Sequence, residues 1–501
     1  MRLLGNYLQI LIVVLFLVSY YWVVQQPSDD FDSEIPIERI VKLYERVISA
    51  LRENSSEICE GTFKYCRRPE TRHINCGEVL KGNKTYISTI TGENRVPLVS
   101  NPYLNMTCPQ ISNRIRSSYE MNPLKVGGIA FARNVYTDYE LIEKQVQMTW
   151  HPENRYCFVV DIDADIHFIW KMIQLVNCFE NQMTMLPVTL YMDSAGHNQN
   201  LAHTQCMGSL LQYPNWSYLM LLQNHDIVTK TVYELDRIFE IMNGAADLEI
   251  ENDTLDGSLR RFNFNPKNLK LFRNGLFEQQ MFHNFLFPET GISENNLKTP
   301  VTLVSGSVAA SLSRESVQWL IDTTDVTVFT EQLNRTEYGG DKKFMASLYT
   351  NSQLGMPGHF TSECIKQGVP VAHFTRFLFY LSMFYFHGFS MSQRADNESY
   401  KCATKTTRHK TCLFGIEDLK SIAEMPHLTW NKVYPSFDWS IIDCTAELLF
   451  NRTFLGQENK HFDEDYYMNS ISVEYHRNRN NPGYKLNCTS NQKTKIYEYY
   501  L

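Results

Sequence analysis

The stretch "DIDAD" (161–165) carries two overlapping D-x-D patterns. At that spacing paired carboxylates can hold a divalent ion across the phosphates of a nucleotide-sugar. It stands one strand and one helix after the first strand of the chain, however, which is early for such a metal motif. A carboxylate at that point more often meets a base or ribose, so no metal ligand is assigned. A second stretch, "EYGGDKKFMASL" (337–348), is a glycine turn running into a helix. Asp341 stands where an N-cap belongs, and Phe344, Met345 and Leu348 fall at helical spacing. The adjacent Lys342 and Lys343 oppose the positive end of the helix dipole, where acids are favoured. "NHD" (224–226) and "GHN" (196–198) offer His225 and His197 as site-lining candidates or as ordinary loop residues. No Ser or Cys stands in a strained elbow beside them, so a hydrolase triad is not indicated. There is no G-x-G-x-x-G, no G-x-x-x-x-G-K and no C-x-x-C, which sets aside dinucleotide, P-loop and structural zinc sites.

The elements that must position these residues alternate. Apolar runs at 127–136, 155–161, 186–191 and 217–222 read as strands. Helical patterns lie between and after them: "DYELIEKQVQMTW", a segment with Ile169, Met172, Ile173 and Val176 on one face, a stretch near 200–212, and "TVYELDRIFEIM". Continuous apolar strands separated by helices predict an α/β fold with a mostly parallel sheet covered on both faces. Ligands in such sheets lie beyond the carboxyl ends of the strands. The residues to watch are therefore 134–137, 161–165, 193–197 and 223–226. A further strand is expected at "VTLV" (301–304), then a turn and a helix capped near Ser313. From 451 onward the chain is polar and Asn-rich and reads as a surface extension.

Composition bounds the setting. The net charge of -8 argues against a general nucleic-acid binder, and 43% hydrophobic residues argue for a folded chain. Arg2 is the one charged side chain before Asp29. The apolar run from Leu3 to Val24 is long enough to cross a hydrocarbon core of about 30 Å. Tyr20, Tyr21 and Trp22 at its far end resemble an interfacial belt, so residues 7–24 are expected to form a type II signal anchor with residues 1–6 cytosolic. A cleaved signal peptide is the competing reading, and bulky aromatics stand where its small-residue cleavage site would fall. Residues 25–123 then form a stem and N-terminal subdomain, 124–450 the main domain and 451–501 the extension. The twelve cysteines can pair in an oxidising lumen. Sequons at Asn54, Asn83, Asn105, Asn215, Asn252, Asn334, Asn397, Asn451 and Asn487 agree with a secretory-pathway protein, Asn215 being expected to lie buried beside Trp216.

Several stretches in order resemble the core 2/I-branching β-1,6-N-acetylglucosaminyltransferases (glycosyltransferase family 14), a family that also includes the protein xylosyltransferases. They are "IAFARNVYTDYELIEKQVQMTWHPENRYCFVVD", "WSYLMLLQNHDIVTKT", "GSVAASLSRESV", "CLFGIEDL" and "LTWNK", together spanning about 125–450. The resemblance implies a Golgi membrane enzyme with a GT-A-like nucleotide-sugar transferase fold. It implies an inverting transfer of GlcNAc from UDP-GlcNAc to a hydroxyl of a glycan on glycoprotein. It also implies that no metal is used, an Arg and a Lys neutralising the diphosphate instead. On this chain the Lys falls on Lys432 and the Arg on His409, with Arg408 beside it; Asp161 falls where the uridine is met. Cys157, Cys178 and Cys206 recur at family positions and would brace the nucleotide half. Cys402 and Cys412 are near enough to close a local loop, Cys444 is expected to tie back to the N-terminal segment, and the partners of Cys364 and Cys488 stay open. UDP-xylose remains an alternative donor.

The family keeps a Glu directly after an Asp in the turn-to-helix segment, as the base that takes the acceptor's proton. Here Asp341 is followed by Lys342, which is protonated near neutral pH and a poor base. Either a neighbouring carboxylate, Asp341 or Glu337, does this work, or the chain is a catalytically inactive lumenal protein that binds sugar nucleotide or glycan without transferring. A shifted local alignment or a different acceptor mechanism is the remaining alternative.

Overall fold

The computed structural model describes residues 65–251, 259, 264–273, 294–379 and 401–488. The expected signal anchor and Cys59 lie outside these. Among the described residues no helix is long and apolar enough to cross a membrane.

Strand β1 (Gly128–Val135) is buried along its whole length because it lies at the centre of a five-stranded sheet. Helix α1 (Tyr139–Met148) leads to β2 (Arg155–Val160), and α2 (Ile166–Cys178) leads to β3 (Met183–Met185). Then come α3 (Gln199–Leu211), β4 (Trp216–Leu222), the short β5 (Ile227–Val228) and α4 (Val232–Met242). The fifth strand of the sheet is β6 (Ala310–Ser313). The order is β3-β2-β1-β4-β6, parallel except for the antiparallel β4–β6 pair. Alternate strand residues enter two cores. Ala130, Ala132, Cys157, Val159, Leu219 and Leu221 face one. Ile129, Phe131, Tyr156, Phe158, Tyr218 and Met220 face the other. Two buried faces are why the strands read as unbroken apolar runs.

After β6 come α5 (Arg314–Thr323), capped by Ser313 as expected, α6 (Thr327–Leu333) and α7 (Gly340–Thr350). A second sheet joins β7 (Arg376–Leu378) and β10 (Thr429–Asn431) to β5, while β8 (Thr407–Arg408) and β9 (Thr411–Cys412) form a hairpin between them in sequence. Helix α8 (Trp439–Phe454) follows. Beyond residue 451 two short helices, Glu464–Met468 and Ile471–Asn478, bury Tyr467, Ile471 and Val473.

Several expectations change. The strand expected at 186–191 is Met183–Met185 instead; Leu186 still donates to Phe158 O, and the ladder goes no further. "VTLV" joins no ladder. The backbone N–H groups of Thr302 and Val304 donate to Asn351 Oδ1 and Ser347 Oγ, so the segment runs along α7 and its neighbourhood. The α2 face is rotated: Phe168, Met172 and Leu175 are buried while Ile173 is exposed, since a helix apolar all round has no single stripe to read. Asp341 is not the N-cap. Gly339 takes that place with φ 73°, a left-handed conformation that suits glycine, and Asp341 is the second residue of the helix. Asn215 is exposed at a turn with φ 66°.

Disulfides join Cys76–Cys444, Cys108–Cys178, Cys157–Cys206, Cys364–Cys488 and Cys402–Cys412. Cys444 does tie back to the N-terminal segment, and Cys402–Cys412 closes the loop that leads into the β8–β9 hairpin.

Candidate functional site

The site forms where the second sheet meets the carboxyl ends of the first. The loop after β4 (223–226) is held from below by Arg133 of β1, whose Nη1 donates to Gln223 O (3.1 Å) and Asp226 O (3.0 Å). Asn224 Oδ1 accepts the backbone N–H groups of Tyr136 and Thr137, tying that loop to the end of β1. Asp226 is fully buried, so its charge needs a partner. Arg376, at the start of β7, supplies it: Nε lies 3.0 Å from Asp226 Oδ1, and Nη2 donates to Gln223 Oε1.

Lys432 directly follows β10, and Arg408 ends β8. Burial and the positive charges of Arg376, Arg408 and Lys342 push the Lys432 ammonium down to about 8. Four cations thus act on one another; Arg376 is matched by Asp226, and Lys342 acts on the Asp341 carboxylate. Positive charge so gathered from four chain segments makes this a candidate anion site. The Arg408 guanidinium sits 5.0 Å over the Tyr434 ring. Tyr434 stacks on His225 (4.0 Å between centroids, 27°), and His225 Nε2 is 2.8 Å from Asp138 Oδ2. Rings and hydrogen bond together fix one wall beside the cations.

Asp341, next to Lys342 in α7, is 7% exposed. Burial pushes its carboxyl up from the usual range, opposed by the charges of Lys342 and Arg376 and by the Lys342 backbone N–H, which donates to Oδ1 at 2.9 Å. A carboxylate so raised is a stronger base than a solvated one. Gly196 packs against it closely enough that a Cβ there would collide with the carboxylate. Glu337, the other candidate, is exposed on the approach to the turn.

Asp161 is 5% exposed, and each of its oxygens accepts a backbone N–H, from Asp163 and from Met192, both at 2.8 Å. It clamps the β2 turn to the segment before Asp193. Asp165 is the N-cap of α2, accepting from His167 and Phe168. That leaves Asp163 as the carboxylate of "DIDAD" with no such role. Among the described residues the one metal-like grouping is Cys76, Cys444 and Glu447, whose two cysteines are joined to each other. His409 is exposed at the hairpin tip with φ 50°, so Arg408 and not His409 joins Lys432.

The structure therefore brings Lys432 and Arg408 within electrostatic reach of Lys342 beside Asp341, leaves Glu337 and His409 exposed, and engages Asp161 in a backbone clamp. Arg376 and Tyr434 belong to no motif. One signal for Arg376 exists: it interrupts the apolar run "HFTRFLFY", where a buried charge requires a partner.

A protein-family model described as "Core-2/I-Branching enzyme" matches residues 129–423. A β-1,3-galactosyl-O-glycosyl-glycoprotein β-1,6-N-acetylglucosaminyltransferase of Bos taurus is 25% identical over 404 residues, covering 78% of this chain and 88% of that protein. The enzyme so named with the suffix 3 in Rattus norvegicus is 23% identical over 425 residues, covering 81% and 90%. A similarly named protein of Bovine herpesvirus 4 (strain V. test) is 24% identical, covering 81% and 89%. The solved mannosyltransferase Ktr4p from S. cerevisiae overlaps 60% of this chain and 77% of its own with a TM-score of 0.20 at 11% identity, a likeness too slight to bear on the fold.

Proposed function

The chain belongs to the Core-2/I-branching enzyme family and is a glycosyltransferase, and on that premise we propose that it transfers GlcNAc from UDP-GlcNAc to a glycan hydroxyl on glycoprotein, with inversion and β-1,6 linkage. The observation that carries this reading is the gathering of Lys342, Arg376, Arg408 and Lys432 in the cleft that holds Asp341. In the reaction the acceptor oxygen attacks the anomeric carbon as the carbon–oxygen bond to the diphosphate breaks. The acceptor's proton goes to the Asp341 carboxylate, and the electron pair leaves with UDP. Arg408 and Lys432, with Lys342 and Arg376, stabilise the charge that develops there, so that no metal is required. Asp161 holds the turn against which the uridine would lie. The parallel α/β sheet supports a GT-A-like arrangement. The apolar run at 7–24 and the sequons support a single-pass type II protein of the Golgi membrane with its body in the lumen.

A second reading, binding of sugar nucleotide or glycan without transfer, is favoured by Lys342 in the place of the family's base and by the low exposure of Asp341. The test is UDP release and sugar transfer by the purified protein, with EDTA, beside Asp341→Asn and Lys342→Glu. Transfer by the wild type that is lost in Asp341→Asn and indifferent to EDTA supports the enzyme. Transfer by Lys342→Glu alone supports the second reading.

A further inference from the structure

The loop that carries Asp341 does not stand by itself. It rests on the loop after β3, and one imidazole is among the groups that join the two. His197 Nδ1 lies 2.6 Å from Asp193 Oδ2, and His197 Nε2 lies 2.9 Å from Thr336 O. Asp193 also accepts the backbone N–H of His197, at 3.0 Å. Around this bridge Gly339 N donates to Ala195 O at 2.8 Å. Asn198 and Asn334 exchange hydrogen bonds of 3.2 and 2.8 Å. At the far end of the contact Gly196 abuts the Asp341 carboxylate itself.

We propose that His197 is a positioning residue: it staples loop 193–197 to loop 336–341, and so sets where the Asp341 carboxylate stands relative to the cations across the cleft. This rests on the reading of Asp341 as the base. The bridge needs both ring N–H groups, because Asp193 and the Thr336 carbonyl are both acceptors. The charged groups facing the ring are Asp193 from its own loop and Asp341 from α7. Together with the Thr336 carbonyl they hold the imidazolium above the ordinary histidine range, the bond to Asp193 acting most strongly. Loss of the proton at higher pH removes one of the two N–H donors, and one arm of the staple with it. A loop freed by about an ångström displaces the base by the same amount, which costs on the order of a hundredfold in turnover.

The two amide side chains separate the arms. Gln at this position carries its NH2 near the place of Nε2 and keeps the bond to Thr336 O, whereas Asn reaches only as far as Nδ1. The expected result is a kcat reduced ten- to hundredfold in His197→Asn and largely retained in His197→Gln, with UDP affinity unchanged in both. Hydrogen exchange of the 336–341 backbone, corrected for intrinsic rates, rises in His197→Asn and not in His197→Gln; this readout needs no turnover. Equal kcat and equal exchange in wild type and His197→Asn overturns the proposal, as does a loss of UDP affinity parallel to the loss of kcat. Asp341→Asn serves as the control. If that variant transfers sugar at the wild-type rate, the reading of Asp341 fails, and unchanged exchange in His197→Asn remains the separate result that sinks the staple.

Discussion

Binding of UDP should be coupled to a proton at Lys432. In the free protein its ammonium is held down to about 8 by burial and by Arg376, Arg408 and Lys342. Against an ordinary lysine near 10.4, that is about 3 kcal/mol of destabilisation of the charged form. A bound diphosphate reverses the sign of the local field and restores the ammonium. At pH 7 about nine-tenths of the sites are already protonated, so binding takes up only about 0.1 proton; at pH 8 it takes up about 0.5, and at pH 9 about 0.9. Affinity is thus nearly flat below pH 7 and falls toward about tenfold per pH unit above 9. Titration calorimetry in two buffers of different ionisation enthalpy reads the uptake directly. Lys432→Met should bind more weakly at pH 7 and lose the pH dependence, while Lys342→Glu should move the midpoint upward by replacing one of the three repelling charges with an attracting one. Uptake near zero at both pH 8 and pH 9, or the same pH dependence in Lys432→Met, would refute the coupling and with it the cation cluster as the diphosphate site.

Asp247 is fully buried, with Oδ2 accepting from Phe374 N, Thr375 N and Thr375 Oγ1, and burial pushes its carboxyl up to about 7. The folded state therefore favours the protonated form: that contribution is full below about pH 4 and is lost as pH rises through about 7, an effect of up to about 4 kcal/mol. The Tm of the wild type should fall relative to that of Asp247→Asn between pH 4 and 8, and a constant difference across that range would exclude the effect. EDTA should leave UDP affinity unchanged, and Asp163→Ala should be silent. Asp161→Ala frees the backbone N–H groups of Asp163 and Met192 and should weaken UDP binding by about tenfold, as calorimetry can check. Peptide mass spectrometry of the protein from a secretory-pathway host should find glycans at the exposed Asn105, Asn215 and Asn487, and none at Asn334, whose amide is engaged by Asn198. A glycan at Asn334 would contradict the packing of the Asp341 loop.

Much of the fold is legible in the chain because it is written in local periodicity. The first two strands, β4 and the helices after each follow from apolar runs and 3.6-residue spacing, which neighbouring residues encode. The failures have local causes too. The apolar run at 186–191 suggests a strand where the ladder has already ended at Met185, and β6, "ASLS", is too short and polar to announce a strand until β4 offers it partners. The Cys402–Cys412 bridge is visible from a separation of 10 residues, whereas Cys364–Cys488, at 124, is not.

The candidate site divides along the same line. Sequence alone singles out the segment 337–348, the pair Arg408–His409 and Lys432, and sets the chain in its family, because those residues stand in recognisable order. Tertiary structure alone decides that Arg408 and not His409 turns inward, that Arg376 joins through Asp226, and that Asp161 is engaged by backbone. It also decides that His197 meets Thr336 across 139 residues of chain. Charge, protonation and hydrogen bonding depend on distance through space and on exclusion of water, and neither quantity is carried by the spacing of residues along the chain.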